Sequence, residues 1–452
     1  MGIQKNEMYT VRIEGYASEG YGVCRVNGFV VFVKGAAAGD ECEIRIVKVL
    51  KNLAYAKIEQ IFVPSPARVT PACPVFPKCG GCDFFHISYE EELRMKKERV
   101  EDALFRIGGF ELKAEEVAAS PKLFSYRNKA QFPVASVEGL PVTGFYRKHS
   151  HEVVPTEVCL IQSETANKLA QAARTWIAEY SIPVYDEIKK SGVVRHVYVR
   201  TSSKGESFLC IIAAADELPF SDRLIKAAKA ACPSLRGIIL NINKAHGNAI
   251  LGGEERVLWG DGFIEDTLCG LFFRISPLSF FQVNHGQAEK LYSRAIEYAA
   301  LSPSDTALDL YCGTGTITLC LAKKCARAIG VEVVPEAIRD AEKNAEINHV
   351  ENVRFLCMDA GKAAEKLIRE NASVDVITVD PPRRGMDEGT VSAILDLAPK
   401  RIVYISCDPA TLARDCKLLS EGGYIPSRLS VFDMFPRTIH TEVVCLLERG
   451  KR

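Results

Sequence analysis

Cys407 stands between a strand-like run, Ile402-Val403-Tyr404-Ile405, and a helix that opens at Pro409. A thiol there sits where open α/β sheets hold their ligands, although a lone cysteine is as often a small buried hydrophobe. The preceding apolar run, Val374 to Val379, ends in Asp380-Pro381-Pro382-Arg383, so Asp380 should face the same cleft. After such an Asp-Pro-Pro, methylation of an exocyclic amine calls for an aromatic side chain to stack on the base; Arg383 holds that place instead. Methylation at carbon poses a different problem. C5 of a pyrimidine is a poor nucleophile until a thiolate adds to C6 and turns the ring into an enolate. The reaction then needs a base to remove the C5 proton and free the thiol. Glu442 opens the apolar strand Val443 to Leu447, with His440 two residues before it, and is the candidate base.

The methyl donor would sit on a glycine loop. Asp309-Leu310-Tyr311-Cys312-Gly313-Thr314-Gly315-Thr316 follows an apolar strand, and small residues let the backbone approach a ligand there. A dinucleotide fingerprint needs a third glycine, but Thr318 holds that position. S-adenosylmethionine therefore fits better than NAD. Glu332, Asp359 and Asp380 each close a later strand-like run and, with Asp309, put four acids at strand carboxyl ends. Any one of them could instead cap the helix that follows.

A second cluster is made of thiols. Cys73, Cys79 and Cys82 follow a C-x5-C-x2-C pattern, and Gly80-Gly81 permits a sharp loop between them. Three ligands so close leave a fourth to come from elsewhere, and Cys159 after Val153-Val154-Pro155 is the best candidate. Spacing does not separate zinc from an iron–sulfur cluster, because both accept four thiolates.

These groups need several domains to position them. At 452 residues the chain exceeds one ordinary core, and 47% hydrophobic with 25% charged residues is a globular balance. Residues 1–63 alternate apolar and polar side chains between glycines and read as a small OB-like β-barrel, closed off by Pro64-Ser65-Pro66. Residues 64–270 read as an α+β central domain bearing the cysteine cluster, with an amphipathic helix over 89–107 that Gly108-Gly109 ends. Residues 271–452 alternate short apolar strands and helices, the pattern of a doubly wound, Rossmann-like sheet. No run is long and apolar enough to span a bilayer, and the first residues lack a signal-peptide core, so a cytoplasmic protein is expected. With 57 basic and 57 acidic residues, a uniformly basic nucleic-acid binder is excluded, but a local basic surface is not. Lys122 to His151 is such a span: Lys122, Arg127, Lys129, Arg147 and Lys148 stand against the single acid Glu138, with aromatics interleaved.

In combination, Ser406-Cys407-Asp408-Pro409, Asp380-Pro381-Pro382-Arg383, Phe281-Gln282-Val283-Asn284, Asp309-Leu310-Tyr311-Cys312-Gly313 and His440-Thr441-Glu442 resemble the RNA uracil-5-methyltransferase family through nearly the whole chain. The resemblance implies a nucleophilic Cys407, a base at Glu442, and cofactor contacts from Gln282, Tyr311, Thr316, Glu332, Asp359 and Asp380. It also implies that the target base is flipped out of its stack to reach the thiol. The cysteines and the N-terminal barrel are similar to the ribosomal-RNA branch, in which the barrel is an RNA-binding TRAM domain and the cysteines carry a [4Fe-4S] cluster. Ligation by Cys73, Cys79, Cys82 and Cys159 and a 23S rRNA partner follow as expectations. Nothing demands more than a monomer, and which uridine is modified is not written in the residues. Competing readings are the same chemistry on tRNA or on cytosine, an RNA-binding assembly factor without turnover, and an iron–sulfur oxidoreductase using NAD.

Overall fold

The computed structural model describes residues 3–450. The chain divides into two compact units. The first holds the chain up to Arg99, with Tyr146–Glu152 and Phe435–His440; the second holds Val100–Phe145, Val153–Met434 and the chain from Thr441.

The first unit opens with β1 (Met8–Arg12), β2 (Gly15–Tyr16), β3 (Gly22–Val26), β4 (Phe29–Lys34), β5 (Glu41–Val49) and β6 (Leu53–Val63). They form one six-stranded sheet in the order β1-β5-β6-β4-β3-β2. Alternation does the sorting: Cys42, Ile44 and Ile46 of β5 point into a core with Val31, Val33, Ala54 and Ala56, and the residues between them face outward. Asp40 is fully buried beside this core and accepts bonds from the Ala37 and Ser65 amides and from Arg68. Burial alone would raise its pKa, but these donors outweigh that and hold the carboxyl below its ordinary value. Helix α1 (Tyr89–Ala103) begins in this unit. Its buried Glu92–Lys96 pair, 2.7 Å apart, grips the segment Phe435–His440: Glu92 accepts from the Arg437 amide, and Lys96 donates to the Phe435 carbonyl. The helix extends through a π-helical turn, Leu104–Gly108, that Gly109 closes in the left-handed region at φ 81°, so the expected helix over 89–107 is present with a changed last turn.

The second unit contains two large sheets. β7 (Glu116–Ala118) is an edge strand of the C-terminal sheet. The other sheet is built from β8 (Lys129–Val137), β9 (Leu140–Tyr146), β10 (Val153–Pro155), β11 (Val194–Thr201), β12 (Ser207–Ala213), β13 (Leu235–Ile242) and β14 (Glu254–Gly260), in the order β10-β9-β8-β11-β12-β13-β14. Helices α2 (Glu164–Glu179) and α3 (Ser221–Ala231) contribute to the core on one of its faces, with Ala130, Phe132, Val197 and Val199 from the strands. A hairpin follows, β15 (Ile264–Leu268) with β16 (Leu271–Ile275), and then α4 (His285–Ala299).

The C-terminal sheet continues with β17 (Thr306–Leu310), α5 (Thr316–Ala322), β18 (Arg327–Glu332), α6 (Pro335–Ile347), β19 (Val353–Cys357), α7 (Ala360–Arg369), β20 (Val376–Val379), α8 (Glu388–Leu397), β21 (Arg401–Ser406), α9 (Pro409–Glu421), β22 (Tyr424–Phe432) and β23 (Glu442–Arg449). Its order is β19-β18-β17-β20-β21-β23-β22-β7. β19 to β21 are parallel, and strands such as Val376-Ile377-Thr378-Val379 are buried throughout, as covered parallel strands must be. The expected doubly wound sheet is present. It departs from all-parallel pairing at one place, where β23 runs antiparallel between β21 and β22. The strand order reverses between β17 and β20, which makes the crevice beyond their carboxyl ends the ligand site of such a sheet.

Candidate active site

Local capping fixes Cys407. At the end of β21 the Ser406 hydroxyl accepts the Asp408 amide at 3.1 Å and donates to the Asp408 carbonyl at 2.9 Å. Asp408 then caps α9, taking the Ala410 and Thr411 amides at 2.9 and 3.0 Å, while Pro409 fills the first helical position, where no amide is needed. Cys407 is thus pinned, half-buried, between a strand end and a capped helix. Because β23 runs antiparallel to β21 with Ser406 opposite Val443, the register carried one residue further sets Cys407 beside Glu442. Glu442 is buried, 6% exposed, and faces Phe432 of β22 on its other side. Asp380 follows β20, the parallel neighbour of β21, and its amide donates to the Leu310 carbonyl.

Electrostatics tie the three together. Burial, and then the charges of Glu442 and Asp380, push the Cys407 thiol up to about 11, against a lowering pull from Arg383. Burial and the Asp380 charge raise the Glu442 carboxyl well above its ordinary value, again opposed by Arg383. Asp380 itself is raised to about 7, by burial first and the charge of Asp309 second. The site is therefore acidic, short of solvent and poised to take up protons, and Arg383 is the cation that offsets it.

The glycine loop is shaped as the sequence suggests. Tyr311 adopts a left-handed φ of 65°, and Gly315 has φ 81° with a would-be Cβ only 3.0 Å from Ala341 and 3.1 Å from the Phe355 ring, so a larger residue there would be strained. Thr316, buried, opens α5. Glu332 accepts the Gly313 amide at 3.2 Å and the Val333 and Val334 amides at 2.8 and 3.0 Å. Val333 and Val334 are themselves exposed, which sets an apolar flank beside a carboxylate. Asp359 is exposed and caps α7 through the Lys362 amide. Asp309 is the penultimate residue of β17, and its two oxygens accept the Thr318 and Thr378 hydroxyls at 2.6 Å each. It locks β17 to β20 and α5. Thr318, the residue standing where a third glycine would be, is part of that lock.

Gln282 is 8% exposed, and its side chain meets the Tyr292 hydroxyl; Tyr292, deep in α4, feels the charges of Asp380 and Glu442. The Asn128 side chain donates to the Gln282 carbonyl at 2.9 Å, and its amide donates to that of Val283. Asn284 donates to Ser120 and to the Met434 carbonyl. Asn128 and Tyr292 carry no motif signal and emerge only from the fold.

The thiols expected to hold a metal are divided between the two units. Cys73, Cys79 and Cys82 belong to the first unit and Cys159 to the second, and among the described residues no group of three or more His, Cys, Asp or Glu is arranged to hold a metal ion. None of the sixteen cysteines is in a disulfide. Burial raises the Cys79 thiol, with Cys73 adding to the shift, and the Gly81 amide points at Cys79 Sγ from 3.4 Å. No helix of the described residues is long and apolar enough to cross a membrane.

Residues 254–450 match the family model described as tRNA (Uracil-5-)-methyltransferase, and residues 4–58 match the TRAM domain. An uncharacterized RNA methyltransferase of Clostridium tetani is 41% identical across 98% of this chain and 97% of its own length. Another from Caldanaerobacter subterraneus subsp. tengcongensis is 43% identical across 99% of each. The structure of Pyrococcus abyssi tRNA (uracil-54, C5)-methyltransferase with S-adenosyl-L-homocysteine shares 28% identity, superposing with a TM-score of 0.78 over 97% of this chain and 99% of that one. With the Cys407–Glu442 pairing and the glycine loop in place, these matches settle the assignment: the chain belongs to the RNA uracil-5-methyltransferase family and carries a TRAM domain at its N-terminus.

Proposed function

We propose that this S-adenosylmethionine-dependent RNA methyltransferase acts on C5 of a uridine in 23S rRNA, with Cys407 as nucleophile and Glu442 as base. The observation that carries the reading is the β21–β23 register, which ends with Ser406 opposite Val443, together with the Glu442 charge acting on the Cys407 thiol. The Cys407 thiolate bonds to C6 of the flipped uracil, and the ring electrons move onto the C4 oxygen. C5 then takes the methyl group that the cofactor's sulfonium supplies. The Glu442 carboxylate removes the C5 proton, and the returning electron pair expels the thiolate from C6. A carboxyl raised by burial suits a proton acceptor that must later release its proton. Arg383 favours both anions, the thiolate and the carboxylate.

The donor set fits the cofactor. Glu332 offers a carboxylate to a ribose diol beside the apolar Val333 and Val334, and Tyr311, Thr316 and Asp359 border the same crevice at the ends of β17 and β19 and the start of α5. Gln282 and Asp380, which both bear on Tyr292, are read as contacts to the cofactor and the flipped base. For the cysteines, the iron–sulfur reading rests on donor chemistry: Cys73, Cys79 and Cys82 within one loop, with Cys159 as the candidate fourth ligand and zinc as the alternative metal. Iron and sulfide analysis of anaerobically purified protein tests it. The chain is read as a cytoplasmic monomer.

A second substrate reading, tRNA, is favoured by the Pyrococcus abyssi neighbour, whose name gives a tRNA position. Labelled S-adenosylmethionine offered with unmodified 23S rRNA and tRNA transcripts, followed by mass spectrometry of the nucleosides, decides between them. 5-Methyluridine in 23S rRNA alone supports the proposal; label only in tRNA replaces the substrate; label in neither moves a binding role to the front.

A further inference from the structure

The basic span singled out in the sequence contributes Lys129 to a pair of cations that the methyl-transfer site does not use. Lys129 of β8 lies directly opposite Arg200 of β11 in the antiparallel register. Their strand neighbours Ala130 and Val199 point into the core under the helices, so both cations project from the other face of the sheet. Arg200 is completely buried. Its Nη2 donates to the Phe281 carbonyl at 2.9 Å, its guanidinium lies by the Phe281 ring and interacts with the Tyr198 side chain, and Nε and Nη1 make no well-formed hydrogen bond. The acid that bears on it, Asp266, makes no ion pair with it and is already engaged by the Ser203 amide and hydroxyl and the Thr267 amide. Lys129 is half-buried with its Nζ 5.6 Å from the centre of the Tyr198 ring, and it makes no ion pair among the described residues. Burial and the adjacent Arg200 press its pKa down to about 8, and no carboxylate acts on it. His196, further along the same face of β11, is held neutral at neutral pH by burial and Arg195, so it adds no charge there.

Two facing cations with no carboxylate in direct contact are expensive to bury unless an anion arrives from outside. The pair also adjoins the reaction machinery. Arg200 holds the Phe281 carbonyl and Asn128, next to Lys129, holds that of Gln282, so both ends of this peptide segment are tied to the cationic strands. We propose that Lys129, backed by Arg200, seats a phosphodiester of the RNA strand next to the flipped uridine. This rests on the RNA reading above and adds to it a residue that sets the register of the strand without reading its sequence. A purely structural role explains the Arg200 bond to Phe281, but not the uncompensated charge at Lys129.

The test uses Lys129→Gln and Lys129→Arg in the full-length protein. Binding of the unmodified RNA transcript that the wild type methylates is measured by filter retention across a series of KCl concentrations. KM and kcat for that transcript and the affinity for S-adenosylhomocysteine are measured alongside. One lost phosphate contact should flatten the plot of log affinity against log salt by about 0.7–0.9. KM for RNA should rise about five- to tenfold, with kcat and S-adenosylhomocysteine affinity unchanged, and Lys129→Arg should restore both slope and KM. An unchanged salt slope in Lys129→Gln overturns the proposal even if activity falls, and so does a Lys129→Arg variant no better than Lys129→Gln. A wild type that neither binds nor methylates any RNA overturns the functional reading and this inference together.

Discussion

Reactivity of Cys407 is the most quantitative consequence of the site. With the thiol pushed up to about 11, only about one molecule in a thousand is thiolate at pH 8. An ordinary exposed thiol of pKa ~8.5 is about one quarter thiolate there. In the ligand-free enzyme, Cys407 should therefore react with iodoacetamide roughly 200-fold more slowly at pH 8 than an exposed cysteine, and its rate should climb about tenfold per pH unit toward pH 11. The Glu442 charge is the largest electrostatic cause after burial. Facing residues on neighbouring strands lie about 5 Å apart, where a unit charge at an effective dielectric of ~20 is worth at most ~3 kcal/mol, about two pH units. Partial exposure of Cys407 screens this to about one unit, so Glu442→Gln should speed its alkylation at pH 8 about tenfold. Because fifteen other cysteines are present, the assay follows the peptide containing Cys407 by mass spectrometry. S-Adenosylmethionine, which carries a sulfonium charge, should accelerate the reaction more than S-adenosylhomocysteine, which lacks it. The reasoning fails if Cys407 labels at pH 8 as fast as an exposed thiol, or if Glu442→Gln leaves its rate unchanged.

Other consequences follow from the surrounding carboxyls and amides. Asp380, at about 7 in the fold against ~3.9 when unfolded, contributes stability that is complete below about pH 4 and is lost as pH rises through 7. Urea melts should therefore show the wild type losing stability relative to Asp380→Asn between pH 5 and 8; parallel curves would contradict the raised pKa. Thr378→Val removes a 2.6 Å bond to the buried Asp309 carboxylate and should cost about 1.5–3 kcal/mol in the same melts at pH 8, whereas a change below 0.5 would mean the lock is not felt. Asn128→Ala strips the Gln282 carbonyl of its donor and should lower kcat/KM for RNA about tenfold without unfolding the protein; unchanged steady-state kinetics would show that Gln282 is held by other contacts.

The sequence was most legible where local rules act alone. Asp408 and Pro409 announce a helix start, and that start leaves Cys407 at a strand end, which the structure reproduces through the Asp408 cap. Spacing alone does not separate a cofactor acid from a helix cap at Asp359, and the structure shows the cap on α7. The structural role of Asp309 is not legible locally, because its carboxylate bonds hydroxyls of Thr318 and Thr378, the latter 69 residues away. The antiparallel insertion of β23 between β21 and β22 was likewise out of reach, since pairing across 30 or more residues leaves no local periodicity, yet it is what sets Glu442 beside Cys407. Tyr292 and Asn128 were missed for the same reason: an ordinary helical tyrosine and a strand-edge asparagine gain meaning only from what the fold brings against them. The thiols of Cys73, Cys79 and Cys82 make a strong pattern in the sequence, while among the described residues no group of three or more His, Cys, Asp or Glu is arranged to hold a metal ion.

The pairing of Cys407 with Glu442 is most directly tested by trapping its intermediate. Glu442→Gln, incubated with S-adenosylmethionine and the RNA transcript that the wild type methylates, should stop after methyl transfer with C5 unable to lose its proton. Denaturing gels and mass spectrometry should then show protein covalently bound through Cys407 to a methylated uridine, and Cys407→Ala should abolish the adduct. Full turnover by Glu442→Gln, or an adduct that survives Cys407→Ala, would contradict the account.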